Sequence, residues 1–315
     1  MQTNLSELRC VVMGGGGFVG TNLCQSLAPK VAELRGFGRR QGFPGAIPAS
    51  TTWIPGDFSD SSSVAAAVAG MDVVFHLISA TTPASSNVDK VADIEANLIG
   101  TLRMLEACRM QSVKRVVFVS SGGAIYGASQ MIPTPEDAPT NPLNSYGISK
   151  LAIEKYLNLY NHLYGLDYRI LRVSNPYGPY QTALRNQGAI AAFLTRALMG
   201  KSIEVWGDGS VARDYVYVSD VVAALEMAAI DQGEERIFNI GSATSRTLLE
   251  VIELIENLLG EKISIQFGHG RKLDTPVSRL NTDRARLNLG WEPKVDLEQG
   301  LKLTLSWMKA QTCFR

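Results

Sequence analysis

Along the first half of the chain, short runs of β-branched and other apolar residues alternate with longer stretches whose apolar positions recur at helical spacing. Arg9-Cys-Val-Val-Met13, Val31 to Phe37, Met71 to Leu77 and Arg115-Val-Val-Phe-Val-Ser120 read as buried strands. Gly17 to Ala28, Ser62 to Ala69 and Ala92 to Gln111 read as the helices between them. Strands and helices in this alternation predict an α/β fold, a Rossmann-type doubly wound parallel sheet. Beyond Pro176 the pattern loosens. Gly188 to Met199 and Thr247 to Leu259 still read as helices, near a Trp206-Gly-Asp-Gly turn and a Gly268-His-Gly-Arg loop, and the region is expected to form a smaller C-terminal lobe capping the open edge of the sheet.

The 315 residues are 45% apolar and 19% charged, ample for one large α/β domain with a lobe attached. Thirty basic residues balance thirty acidic ones, and adjacent basic residues come no more than two at a time, as at Arg39-Arg40 and Arg271-Lys272, so nucleic acid is not an expected partner. Cys10, Cys24, Cys108 and Cys313 form no Cys-x-x-Cys pair, and His76, His162 and His269 lack ligand spacing, which predicts reduced thiols and no metal. No run is long enough to span a bilayer and no apolar signal core precedes Arg9; a cytoplasmic location without a membrane partner is expected.

Candidate chemistry sits where the pattern breaks. Gly14, Gly17 and Gly20 follow the first apolar run and open the first helix, with Phe18 and Val19 between the last two. Such a spacing allows a tight strand-to-helix turn, a close approach of pyrophosphate to backbone, and close helix packing, with the unpaired N–H groups of the helix start facing the anion. Asp57, after Trp53-Ile-Pro-Gly, can accept a hydrogen bond from an adenine amino group, or it is an ordinary polar loop residue. About 20 residues past the glycine loop, where an acid normally binds the ribose hydroxyls of NAD, the chain reads Gly38-Arg39-Arg40. A phosphorylated ribose would meet no carboxylate and two cations there, so the cofactor is NAD or NADP with a lean toward NADP, unless the arginines are a solvated strand end.

Tyr146 and Lys150 are spaced i, i+4, which puts them on one helical face behind an Asn144-Ser145 cap. An ammonium held beside a phenol favours the phenolate, drawing it toward the range of a general base, and the same lysine can bond a nicotinamide ribose.

With Asn97-Leu-Ile-Gly-Thr101, Ser120-Ser121, Tyr126-Gly127, Asn175-Pro-Tyr-Gly178, Arg213-Asp-Tyr-Val-Tyr-Val-Ser-Asp220, Arg271-x-x-Asp274 and Leu289-Gly-Trp291 added in order, nearly the whole chain resembles the extended short-chain dehydrogenase/reductase family, in particular nucleotide-sugar epimerases of the UDP-galactose 4-epimerase type. The resemblance implies transient oxidation at the sugar C4, rotation of the keto sugar and return of the hydride. Tyr146 is then the acid/base and Lys150 its partner, while Phe58, Leu77, Asn97 and Ser120 join the cofactor site. Asn175, Trp206, Arg213, Arg271, Asp274 and Ser278 would hold a UDP-sugar or other nucleotide sugar. It also implies a homodimer through the helices at Asn97 to Gln111 and Tyr146 to Tyr164. The expected division is 1–172 plus 213–241 for the dinucleotide and 173–212 plus 242–315 for the nucleotide sugar.

One position departs from the family pattern. Counting back from Tyr126-Gly127, the usual hydroxyl falls on Gly122, whereas counting back from Tyr146 it falls on Ser121, which is taken as the group that polarises the sugar oxygen. Gly122-Gly123-Ala124 also lacks the carboxylates that related dehydratases and decarboxylases carry there, so elimination and decarboxylation lose a proton carrier. An epimerase is expected, with an NADPH-dependent 4-keto nucleotide-sugar reductase as the alternative and a catalytically silent binding protein as a third reading.

Overall fold

The computed structural model describes residues 4–43, 45–182, 188–270 and 275–311. Strand β1 (Arg9–Met13) is buried from Cys10 onward and turns through Gly14 into α1 (Phe18–Leu27). The second strand, β2 (Glu33–Gly38), starts later than its apolar pattern predicts, because the Val31 N–H is still bonded to the Leu27 carbonyl at the end of α1. Next come β3 (Thr52–Pro55), α2 (Ser61–Val68), capped by Asp60, and β4 (Val73–His76).

The sequence predicts one uninterrupted helix over Ala92 to Gln111. Instead α3 (Lys90–Asp93) passes through a π-helical turn (Ile94–Ile99) into α4 (Gly100–Met110). Within that turn the Asn97 amide donates to the Asp93 carbonyl and Thr101 Oγ1 donates to the Asn97 carbonyl, side-chain bonds that compete with the regular helical ladder. The chain continues with β5 (Arg115–Ser121), α5 (Ser145–Tyr164) and β6 (Asp167–Val173). Helix α5 starts where the sequence places its cap, the Asn144 side chain accepting from the Gly147 N–H, and stops at Gly165 in the left-handed region.

Short pieces follow: β7 (Asn175–Tyr177), α6 (Ala189–Leu198), β8 (Ile203–Trp206), β9 (Ala212–Arg213) and β10 (Tyr215–Tyr217). Then α7 (Val218–Ile230) and β11 (Ile237–Ile240) return to the main sheet, and β12 (Arg246–Thr247), α8 (Leu248–Leu259), β13 (Ile265–Gly268), β14 (Val277–Ser278) and α9 (Leu297–Ala310) complete the chain.

The central sheet has the order β11-β6-β5-β4-β1-β2-β3, parallel throughout. Strand order reverses between β1 and β4, which opens the crevice where α/β sheets bind ligands. One face is covered by α1 and α7, with Leu23, Val221, Leu225 and Trp291 in its core, and the other by α2, α4 and α5 through Val64, Met104, Ile153 and Leu157. A third core gathers α6, α8 and α9 around Tyr177, Leu194, Ile252 and Leu305. Cys10, Cys24 and Cys108 are free and buried, and among the described residues no helix is long and apolar enough to cross a membrane.

Candidate active site

The glycine loop has the geometry its spacing predicts. Gly14 has φ +93°, and a Cβ on Gly20 would lie 2.1 Å from the Gly14 carbonyl oxygen, so only glycine lets α1 sit this close to the turn. Helix α1 opens at Gly17 without a side-chain cap, presenting the N-terminal backbone at Phe18 and Val19. A loop this shallow ending in an uncapped helix fits a pyrophosphate.

At the end of β2, a Cβ on Gly38 would meet only the Trp53 ring, at 3.6 and 3.7 Å, so the missing acid is not excluded by crowding. Arg39 and Arg40 are exposed. Asp57 is exposed as well, and its Oδ1 accepts from the Ser59 N–H and hydroxyl, which together with the Arg39 charge hold its carboxyl below the usual range. Phe58 is buried against Gly100 and tilted over His76, while Leu77 is held by its N–H to the Met13 carbonyl. Asn97 is buried and fully engaged: it accepts from the Ala80 N–H and donates to Thr81 and Asp93, so it supports the loop after β4.

Tyr146 lies half-buried on the first turn of α5, with Ser121 near enough to its phenol to favour the ionised form. Lys150 is buried one turn later. Its Nζ donates to the Val119 carbonyl at 2.9 Å and sits 4.7 Å from the Phe118 ring centre and 5.7 Å from that of Tyr146. The expected lowering of the phenol is not what this environment produces. Burial pushes Tyr146 up to about 12, with the Ser121 bond acting against it and Asp93 adding to it, and burial pushes Lys150 down to about 8 against the pull of Glu154 and Asp93. Desolvation is the largest influence on the phenol, and Lys150 donates to the Val119 carbonyl.

A hydroxyl-bearing residue at 122 would have to displace Leu280. A Cβ there would lie 2.5 Å from Leu280 Cδ1 and 3.0 Å from the Arg172 carbonyl oxygen. Of the adjoining pair, the Ser120 hydroxyl is buried and donates to Glu154, and Ser121 is the one that acts on the Tyr146 phenol. Behind it, Glu154 and Arg172 form a buried ion pair at 2.7 Å, and Arg172 also donates to the Tyr126 hydroxyl and the Glu136 carbonyl. Sequence reasoning missed this pair. Its signal was a glutamate four residues after Lys150 on the same helical face, with an arginine inside the run Ile170-Leu-Arg-Val173.

On the lobe side, Asn175 Nδ2 donates to the Asp214 carbonyl at 2.9 Å. Arg213 donates to the Thr275 carbonyl at 2.7 Å and lines a cavity of about 290 Å³ with Tyr215, Thr244, Arg246 and Lys294. Ser278 pairs in register with Arg213 and is half-buried, while Trp206 is exposed on β8 opposite Gly268. Arg271 and Asp274 lie outside the described residues. The structure therefore gathers Tyr146, Lys150 and Ser121 in one cluster and Arg213 with Ser278 in another.

The sequence pattern of the NAD dependent epimerase/dehydratase family matches residues 10–241. The chain is 34% identical over 313 residues to the UDP-glucose 4-epimerase of Mycolicibacterium smegmatis, covering 96% of this chain and 99% of that one. The structure of UDP-glucose 4-epimerase from Thermotoga maritima with UDP-glucose superposes with a TM-score of 0.92 at 33% identity, covering 96% of this chain and 99% of the other. That of the Thermus thermophilus UDP-glucose 4-epimerase in complex with NAD gives 0.90 at 32% identity, covering 97% and 100%.

Proposed function

The chain belongs to the NAD-dependent epimerase/dehydratase family, and from that premise we propose that it inverts C4 of a UDP-hexose or UDP-N-acetylhexosamine. The observation that carries this reading is Tyr146 and Lys150 one turn apart on α5, with Ser121 at the end of β5 acting on the phenol, in a fold that begins with an uncapped glycine loop. A nicotinamide cofactor held at Gly14, Gly17 and Gly20 would supply a reversible hydride acceptor for C4. Tyr146 takes the proton from the C4 hydroxyl and returns it, Ser121 orients that oxygen, and Lys150 keeps a positive charge beside the ring. Because burial raises the phenol, Tyr146 acts as the base only once the positive charge of a bound nicotinamide, added to that of Lys150, favours the phenolate, its own proton having passed to solvent before the sugar binds. By the resemblance, Asn175, Arg213 and Arg271 would hold the diphosphate, the dinucleotide lying on 1–172 plus 213–241 and the sugar nucleotide on the remainder. A reductase would consume NADPH in proportion to product; this enzyme is expected to interconvert UDP-glucose and UDP-galactose with no net cofactor consumption, and steady NADPH loss would contradict it.

Cofactor selection follows from the end of β2. With no acid at Gly38 and with Arg39 and Arg40 adjacent, NADP(H) is expected to bind at least as well as NAD(H). Gly38→Asp, which the space beside Trp53 accommodates, should shift the preference toward NAD. Titrating both cofactors into both proteins measures it, and a strong preference of the native protein for NAD would mean that the arginines only face solvent.

The sugar pocket carries a second expectation. Ser278, four residues after Asp274, stands where resembling epimerases use a bulky tyrosine to exclude N-acetylated sugars. Serine leaves room and offers one hydrogen bond to an acetamido group. UDP-N-acetylhexosamines are expected to be accepted, and Ser278→Tyr to reduce that activity selectively; a tyrosine variant that keeps full activity on the acetylated sugar refutes the assignment.

The outer faces of α4 and α5 expose Met110, Leu159, Leu163 and Tyr164. We propose that a second copy covers them, so that the enzyme sediments as a dimer.

A further inference from the structure

Asp93 ends α3 with nothing of its side chain exposed, and it forms no ion pair among the described residues. Four neutral side chains donate to it. Oδ1 accepts from Thr81 Oγ1 and from Asn97 Nδ2 at 3.0 Å, and Oδ2 accepts from the hydroxyls of Ser145 at 2.9 Å and Ser149 at 2.7 Å. The two serines are one helical turn apart on α5 and immediately precede Tyr146 and Lys150. The loop after β4 joins the same clamp from outside: Ser86 Oγ accepts from the Tyr146 N–H and Asn87 Oδ1 from the Ser145 N–H, each at 3.0 Å.

We propose that Asp93 is a positioning residue for the proton transfer: through Ser145 and Ser149 it fixes the turn of α5 that carries Tyr146 and Lys150, and ties that turn to the Thr81 loop. The inference rests on Tyr146 being the proton carrier. Geometry alone gives the tether, since a rotation of α5 that breaks the two serine contacts also moves the phenol and the ammonium. The charge adds a second effect, because a buried carboxylate at this place disfavours the phenolate of Tyr146 and favours the ammonium of Lys150. The other titratable groups facing the pair are His76 on β4, which burial pushes down to about 3 and keeps neutral, and Glu154 on α5, whose charge is met by Arg172 on β6.

The test compares Asp93→Asn, which keeps the shape and removes the charge, with Ser145→Ala/Ser149→Ala, which keeps the charge and removes the tether. In Ser145→Ala/Ser149→Ala, kcat for C4 inversion is expected to fall roughly 10- to 100-fold, with KM changing less, as for a misplaced catalytic group, while Asp93→Asn, which keeps an acceptor for the two serines, loses less. Their pH profiles should differ: the acidic limb of kcat/KM moves to lower pH in Asp93→Asn and stays in place in the double alanine variant, which keeps the charge. Wild-type kcat in the double alanine variant, or an acidic limb that does not move in Asp93→Asn, overturns the proposal. Should Asp93→Asn not fold, Ser149→Ala decides: an unchanged kcat there refutes the tether. Tyr146→Phe in the same assay separates the two claims, since near-normal turnover in it removes the premise, whereas an inactive Tyr146→Phe beside a fully active Ser145→Ala/Ser149→Ala refutes only the role of Asp93.

Discussion

Tyr146→Phe is expected to lower turnover by roughly 10²-fold or more while leaving folding and dinucleotide binding intact. The ring stays, so the half-buried position at the start of α5 keeps its packing; what goes is the phenolic hydroxyl beside Ser121. Ser121 cannot substitute, because a serine hydroxyl is far too weak an acid to carry the proton unaided. Turnover within a few-fold of wild type would remove Tyr146 from the chemistry.

Arg172→Met is expected to be the most damaging change to stability, at about 3–5 kcal/mol, the usual consequence of removing one member of a buried ion pair. Arg172 donates to both Glu154 oxygens, to Tyr126 and to the Glu136 carbonyl, and without it a carboxylate that is 3% exposed keeps only the Ser120 hydroxyl. Arg172→Met combined with Glu154→Gln should recover much of the loss, because no unpaired charge remains. Chemical denaturation of the three proteins checks this, and a loss below about 1 kcal/mol in the single variant would show that water or a rearranged partner serves Glu154 instead.

What the sequence revealed divides along physical lines. The β1 turn and α1 were legible because a glycine triplet after an apolar run has few geometric solutions, and the start of α5 because Asn144 is a strong cap. The segment that forms β6 was not, since Arg169 and Arg172 interrupt its apolar run; both are buried, Arg169 satisfied by Asp167 and Asp231 and Arg172 by Glu154. Helical periodicity could not register the widened turn at Ile94–Ile99, which shifts the face by a fraction of a turn. The strands β9, β12 and β14 are two residues long and leave no pattern at all. In the candidate site, spacing brought Tyr146 and Lys150 together but could not give the sign of the phenol's shift, which depends on how much water the fold removes and on where the lysine's proton is bonded. Nor could spacing choose between Ser121 and Gly122; Leu280, more than 150 positions away in sequence, fills the space a side chain at 122 would need.

The central claim is that one hydride leaves C4 and returns to the same carbon of the same sugar. It is tested most directly with UDP-galactose deuterated at C4, incubated with the enzyme and read as UDP-glucose by mass and NMR. The account predicts product that retains deuterium at C4, with no label in water and none passed to added unlabelled NAD(P)H. Product carrying hydrogen at C4, or no inversion beside steady oxidation of NADPH, would contradict it.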